Sequence, residues 1–107
     1  MIVQIRPAAA FYTINASELS KQIATSGVRE IIAVTVTGGS GGAAVRLYNS
    51  RNGSGEASPS KDSILISANG GETTCFTPVH PLPFDQGLYI ELEQGGSGNG
   101  EATVVYN

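Results

Sequence analysis

Four glycine clusters divide this chain into short runs that alternate apolar with polar residues. Gly38-Gly39-Ser40-Gly41-Gly42, Gly53-Ser54-Gly55, Gly70-Gly71 and Gly95-Gly96-Ser97-Gly98 fall between those runs. Glycine accepts a positive φ without a Cβ clash, so such clusters mark places where a chain reverses. Period-two alternation is the mark of a half-buried strand. Many short strands set apart by turn signals predict an all-β sandwich or small barrel. A length of 107 residues fits one domain. The expectation is a single-domain antiparallel β-sandwich, wired as a jelly roll or Ig-like, with Gly-rich hairpin loops. Residues 11–107 would form the sandwich, and residues 1–10 an N-terminal arm or a first strand.

The strands differ in how clearly they are written. Ile2 to Arg6 reads as a strand or extended arm, stopped by Pro7, and Phe11 to Ile14 as a strand. Residues 15–26 leave two readings open. Asn15 or Ser17 can cap a helix, with Leu19 and Ile23 four apart, whereas Ser20, Thr25, Ser26 and Gly27 favour strand and loop, which we prefer. Val28 to Thr37 is rich in β-branched residues, with Ile32, Val34 and Val36 expected on one face. Ala43 to Tyr48 follows, with Val45 and Leu47 inward and Arg46 and Tyr48 outward. Ser63 to Ala68 packs on Ile64 and Ile66, and Glu72 to Thr77 runs back. Pro78, Pro81 and Pro83 exclude a central strand over 78–87, where Leu82 and Phe84 are expected to plug the core. Leu88 to Glu93 is the cleanest alternation, because a slip of one residue would bury Glu91 and Glu93. Ala102 to Tyr106 is the last strand.

The net charge of -3 hides an asymmetry. Residues 1–61 hold all six basic side chains, and residues 62–107 hold six acids with no Lys or Arg. Strands from both halves can interleave, so a scattered, solvated surface is the simpler reading; head-to-tail contact through opposite charges is the sharper one. An acidic balance without a cationic cluster disfavours nucleic acid. No apolar run approaches the roughly 20 residues that cross a bilayer. No secretory signal pattern is visible, so synthesis in a cytoplasm is expected.

No catalytic constellation accompanies the pattern. His80 is the one histidine and sits among prolines, so a Ser-His-Asp triad has no support in the spacing. Cys75 is the one cysteine, expected as a buried, inert thiol in a strand. One Cys and one His cannot build a tetrahedral metal site. Asp85, Glu91 and Glu93 are the nearest approach to a calcium set, but Glu91 and Glu93 on one strand read as a solvated face. The glycine pentad at 38–42 lacks the Lys and Ser/Thr of a phosphate loop and is followed by a strand, so it reads as a hairpin loop. No enzyme activity, metal or cofactor is expected. Tyr48 and Tyr89, on predicted outer faces, are candidates for protein contact or for stacking on a sugar.

The second half also carries a particular wording. Val45-Arg46-Leu47-Tyr48-Asn49, Ile64-Leu65-Ile66-Ser67-Ala68-Asn69-Gly70-Gly71-Glu72-Thr73, Leu82-Pro83-Phe84-Asp85-Gln86-Gly87-Leu88-Tyr89-Ile90-Glu91-Leu92 and Thr103-Val104-Val105-Tyr106 follow in order. This resembles a group of small all-β structural proteins of tailed bacteriophages, over about residues 43–107. The resemblance implies a virion component made in the host cytoplasm, and we place it as a capsid decoration, or cement, protein on the outside of the head. Its partner would be the major capsid protein, with self-association and trimeric clustering at three-fold positions. Ile2, Val3, Ile5 and Arg6 of the arm, with Tyr48 and Tyr89, are the expected contact residues. A tail or head-fibre module that binds a host glycan is the alternative.

Overall fold

The computed structural model describes residues 9–53, 63–95 and 98–107. Ile2, Val3, Ile5 and Arg6, and with them the expected arm, lie outside the described residues. Among the described residues nine strands form two antiparallel sheets. They are β1 (Ala10–Asn15), β2 (Ser20–Ala24), β3 (Arg29–Thr37), β4 (Ala43–Tyr48), β5 (Ser63–Ala68), β6 (Thr73–Phe76), β7 (Leu82–Phe84), β8 (Leu88–Gln94) and β9 (Glu101–Tyr106). Sheet A runs β1-β9-β3-β6, with the short β7 beside β6 on the same edge of β3; sheet B runs β2-β8-β4-β5. With β7 set aside, the first strand pairs with the last, the second with the next to last, and so inward to β4 with β5. That nesting across two sheets is jelly-roll wiring, and it decides between the two sandwiches that the sequence allowed.

Period-two burial explains the core. On sheet A, Tyr12, Val104, Val34 and Phe76 share one inward row, and Ile14, Ala102 and Val36 the next. On sheet B, Ile90, Leu47 and Ile64 face them, with Leu92, Val45 and Ile66 alongside. Ile14, Val34, Val36, Val45, Leu47, Leu88, Ile90 and Val104 are wholly buried. Burying each such side chain stabilises the fold by about 1.5–3 kcal/mol relative to leaving it in water. Phe84 is buried and Leu82 packs on the core, so this proline-rich stretch runs along the sandwich edge as β7, paired among the described residues with β3 alone.

Two expectations about the strands change. Ile31, not Ile32, is the buried residue at the start of β3. The register with β9 shifts between Ile31 and Ala33, and this bulge puts two residues between the inward Ile31 and the inward Val34. The glycine pentad is not a hairpin, because β3 belongs to sheet A and β4 to sheet B. It is a crossover, as are the links β5 to β6 and β8 to β9. These crossovers meet backbone to backbone. Gly38 N donates to Glu72 O at 2.8 Å, Gly71 N to Gly39 O at 2.6 Å and Gly95 N to Gly42 O at 3.1 Å. A Cβ on Gly38 would stand 2.0 Å from the Asn69 carbonyl oxygen, so the contact requires glycine. The crossovers also border a shallow cleft of about 390 Å³ lined by Gly41, Asn69, Glu93 and Gln94 among others.

Candidate interaction surfaces

Sheet B presents the tyrosine pair. Tyr48 and Tyr89 are cross-strand partners on β4 and β8, with ring centroids 5.8 Å apart and planes tilted by 44°. The expectation that both rings face solvent does not hold for Tyr48, which is 5 % exposed. The segment after β4 folds back over this face. Gln22 holds it there: its side-chain amide donates to the carbonyls of Ala24, Ser50 and Leu88 and accepts from Gly53 N. Gln22 sits at a bulge, where the register of β2 with β8 shifts between Gln22 and Ala24. A Cβ on Gly53 would lie 2.0 Å from Cγ of Tyr89, so this loop rests on the ring. Burial, with the Glu91 carboxylate near by, pushes the Tyr48 hydroxyl up to about 12, and Arg46 opposes the shift. The tyrosines therefore serve packing, and nothing like a bare stacking platform is present at Tyr48.

Charges from the two halves of the chain meet on the same face. Arg46 of β4 stands directly opposite Glu91 of β8, so the basic and acidic halves interleave instead of forming two poles. At the opposite edge of the sandwich, Tyr12 donates to Glu18, and this bond holds the phenol above its ordinary value. The Lys21 ammonium lies 5.7 Å from the centroid of the same ring.

Sheet A presents a different surface. Three of its outward rows are Phe11, Val105 and Ala33; then Thr13, Thr103, Thr35 and Cys75; then Asn15, Glu101, Thr37 and Thr73; Glu30 and Pro83 lie beyond the first. Of the eleven residues in these three rows only Glu101 is charged. The polar atoms of the middle row serve one another. The Thr13 and Thr103 hydroxyls are 2.8 Å apart, and the Thr35 hydroxyl points at Cys75 Sγ at 3.9 Å. Phe11 is 70 % exposed. Cys75 is exposed as well, against the expectation of a buried thiol, because Phe76 takes the inward position on β6.

A third feature is a groove of about 310 Å³ where β5 and β7 leave the sandwich edge open. Ile64, Leu82 and Phe84 give it an apolar floor, with Asn49 and Ser63 at the rim. Asn49 is fixed by donating to Asp85 at 2.9 Å and accepting from Gln86 N at 2.8 Å.

His80 is exposed on the segment before β7. Among the described residues no three of His, Cys, Asp or Glu come together in a way that would hold a metal ion. The neutral face of sheet A and the role of Gln22 were missed in the sequence. The alternating Thr35 and Thr37 carried a signal for the former, whereas no local pattern announces the latter. No known protein family matches the chain, and no curated protein matches it.

Proposed function

We propose that this chain is a structural protein of a bacteriophage virion, a decoration protein that binds the outside of the capsid and bridges its subunits. The observation that carries this reading is the outer face of sheet A, where eleven residues on β1, β9, β3 and β6 bear one charge, Glu101, with Glu30 at the β7 end. Covering the middle row, where the Thr13 and Thr103 hydroxyls already pair with each other, costs little desolvation. At about 4.8 Å between strands and about 6.7 Å between outward rows, the patch covers about 400 Å². A stable one-to-one complex buries about 800 Å² per partner. One such face is therefore a weak contact, and repetition on a rigid lattice would make it effective. The resemblance over residues 43–107 points the same way. Jelly rolls occur in capsid domains, but also in lectins and cupins, so the wiring alone assigns nothing.

In this reading Ile2, Val3, Ile5 and Arg6 contribute contacts to a neighbouring subunit. The fibre-module alternative draws no support from the tyrosine pair, since Tyr48 is buried. The test is quantitative mass spectrometry of purified particles of the virus that carries the gene, counting this chain against the major capsid protein. A simple lattice ratio is expected. A few copies per particle would move the protein to a tail or vertex, and absence would remove the virion reading.

A further inference from the structure

Sheet edges invite pairing with other chains, and this sandwich guards most of its own. β2 carries Lys21 and a bulge. β7 carries Pro83 within its three residues, and β6 beside it is four residues long. The edge of β1 is flanked by Glu18 and Lys21, both gathered on Tyr12. β5 has none of these devices. Among the described residues it pairs on one side only, with β4, and its six residues include no charge, proline or glycine. Leu65 at its centre is 49 % exposed, and the apolar groove of Ile64, Leu82 and Phe84 opens beside it.

The sequence of this strand names its partner. Ser63-Ile64-Leu65-Ile66-Ser67 reads the same in both directions. Antiparallel pairing about a two-fold axis at Leu65 would set Ser63 against Ser67, Ile64 against Ile66, and Leu65 against Leu65 of the second copy. Every residue then meets its own kind. Inward residues stay inward, because directly opposed residues in an antiparallel pair share a face. No charge is brought against a like charge. The groove would be covered in both copies at once, since Ile66 of one copy comes to lie beside Ile64 of the other.

We infer that β5 is a homodimerisation edge: two copies of this chain pair β5 against β5 about Leu65 and merge their B sheets into one of eight strands. Such an interface is isologous, and a single two-fold operator closes it. It does not rest on a place in a virion and holds equally for a free-standing chain.

The experiment uses the full chain. Sedimentation equilibrium over micromolar to millimolar concentrations should give a species of twice the 11.0 kDa chain mass. Leu65→Lys puts like charges face to face at the axis and should weaken association at least tenfold. Leu65 is half exposed on the outer face, so the variant should keep the wild-type circular dichroism and melting curve. Register is read by oxidative cross-linking in a Cys75→Ser background. Leu65→Cys should form a covalent dimer, because paired Cα atoms stand about 4.5–5.5 Å apart, within disulfide reach. Ser67→Cys should not, because the two copies of that residue would be about 13 Å apart along the strands. A wild-type chain that stays at 11.0 kDa throughout would overturn the inference. So would a Leu65→Lys chain that dimerises as wild type does, or equal cross-linking at Ser67.

Discussion

The side-chain amide of Gln22 donates to the carbonyl of Ser50 at 2.8 Å, and through that bond an edge strand holds down the segment whose Gly53 rests on the Tyr89 ring. The same amide reaches Ala24 O and Leu88 O, while its oxygen accepts from Gly53 N at 2.8 Å. One partly buried side chain thus closes a bulge and a loop together.

Gln22→Ala removes all of these bonds and leaves backbone groups without their partner. The expected loss is about 2–3 kcal/mol, within what unsatisfied buried polar groups cost. Urea denaturation should show a lower midpoint with an unchanged slope, which marks lost stability without a change in the surface exposed on unfolding. Near-ultraviolet circular dichroism should also change, because Tyr89 loses the loop that rests on it.

The crossover glycines separate two costs that are usually confounded. Gly71 has φ +75° with nothing within 4 Å of a Cβ, so Gly71→Ala meets only backbone strain. That costs about 1 kcal/mol. Gly38 has no such φ, but its Cβ would stand 2.0 Å from Asn69 O, a backbone atom of another crossover. Gly38→Ala must push two loops apart and should cost about 3 kcal/mol or more. Thermal melts should place the Gly38 variant roughly 10 °C below the Gly71 variant.

What could be read in the sequence follows how local each cause is. Leu88, Ile90 and Leu92 announce their own burial, because the intervening Glu91 and Glu93 fix the parity. Ile31 and Ile32 are both apolar, so their alternation cannot say where the bulge falls; β9 decides that. The pentad at 38–42 has the chemistry of a reversal whether the chain returns to the same sheet or crosses to the other. Only the pairing of β3 with β9 and β6 makes it a crossover. Tyr48 lies on the parity expected for the outer face yet is buried, and the bond from Gln22 to Ser50, 28 positions apart, is likewise invisible to local pattern. For Cys75, flanked by threonine and phenylalanine, Phe76 wins the inward position because it is the larger apolar side chain.

Tyr48 gives the fold a dependence on alkaline pH. Its hydroxyl titrates near 12 in the folded chain, against 10.0 for an ordinary tyrosine. Between those values the unfolded chain has lost a proton that the folded chain still holds. Stability therefore falls as pH rises through this window. Denaturant midpoints measured from pH 9 to 12 should decline in the wild type and decline less in Tyr48→Phe, where Tyr12 keeps a raised value. Absorbance at the tyrosinate band should show a step near 12 that is absent from the variant, whereas the raised step of Tyr12 remains in both.

Cys75 reports on the two proposed surfaces separately. Its thiol is exposed on the outer face of sheet A, so the free chain should react with a thiol reagent without denaturant. A dimer joined through β5 leaves this face open, because β5 belongs to sheet B. Self-association alone should then leave the labelling rate unchanged. Docking of sheet A on a capsid should cover Cys75 and slow labelling at least tenfold on intact particles relative to the free chain. Equal rates on and off the particle would place the capsid contact elsewhere on the molecule, while the β5 pairing would stand or fall by its own cross-links.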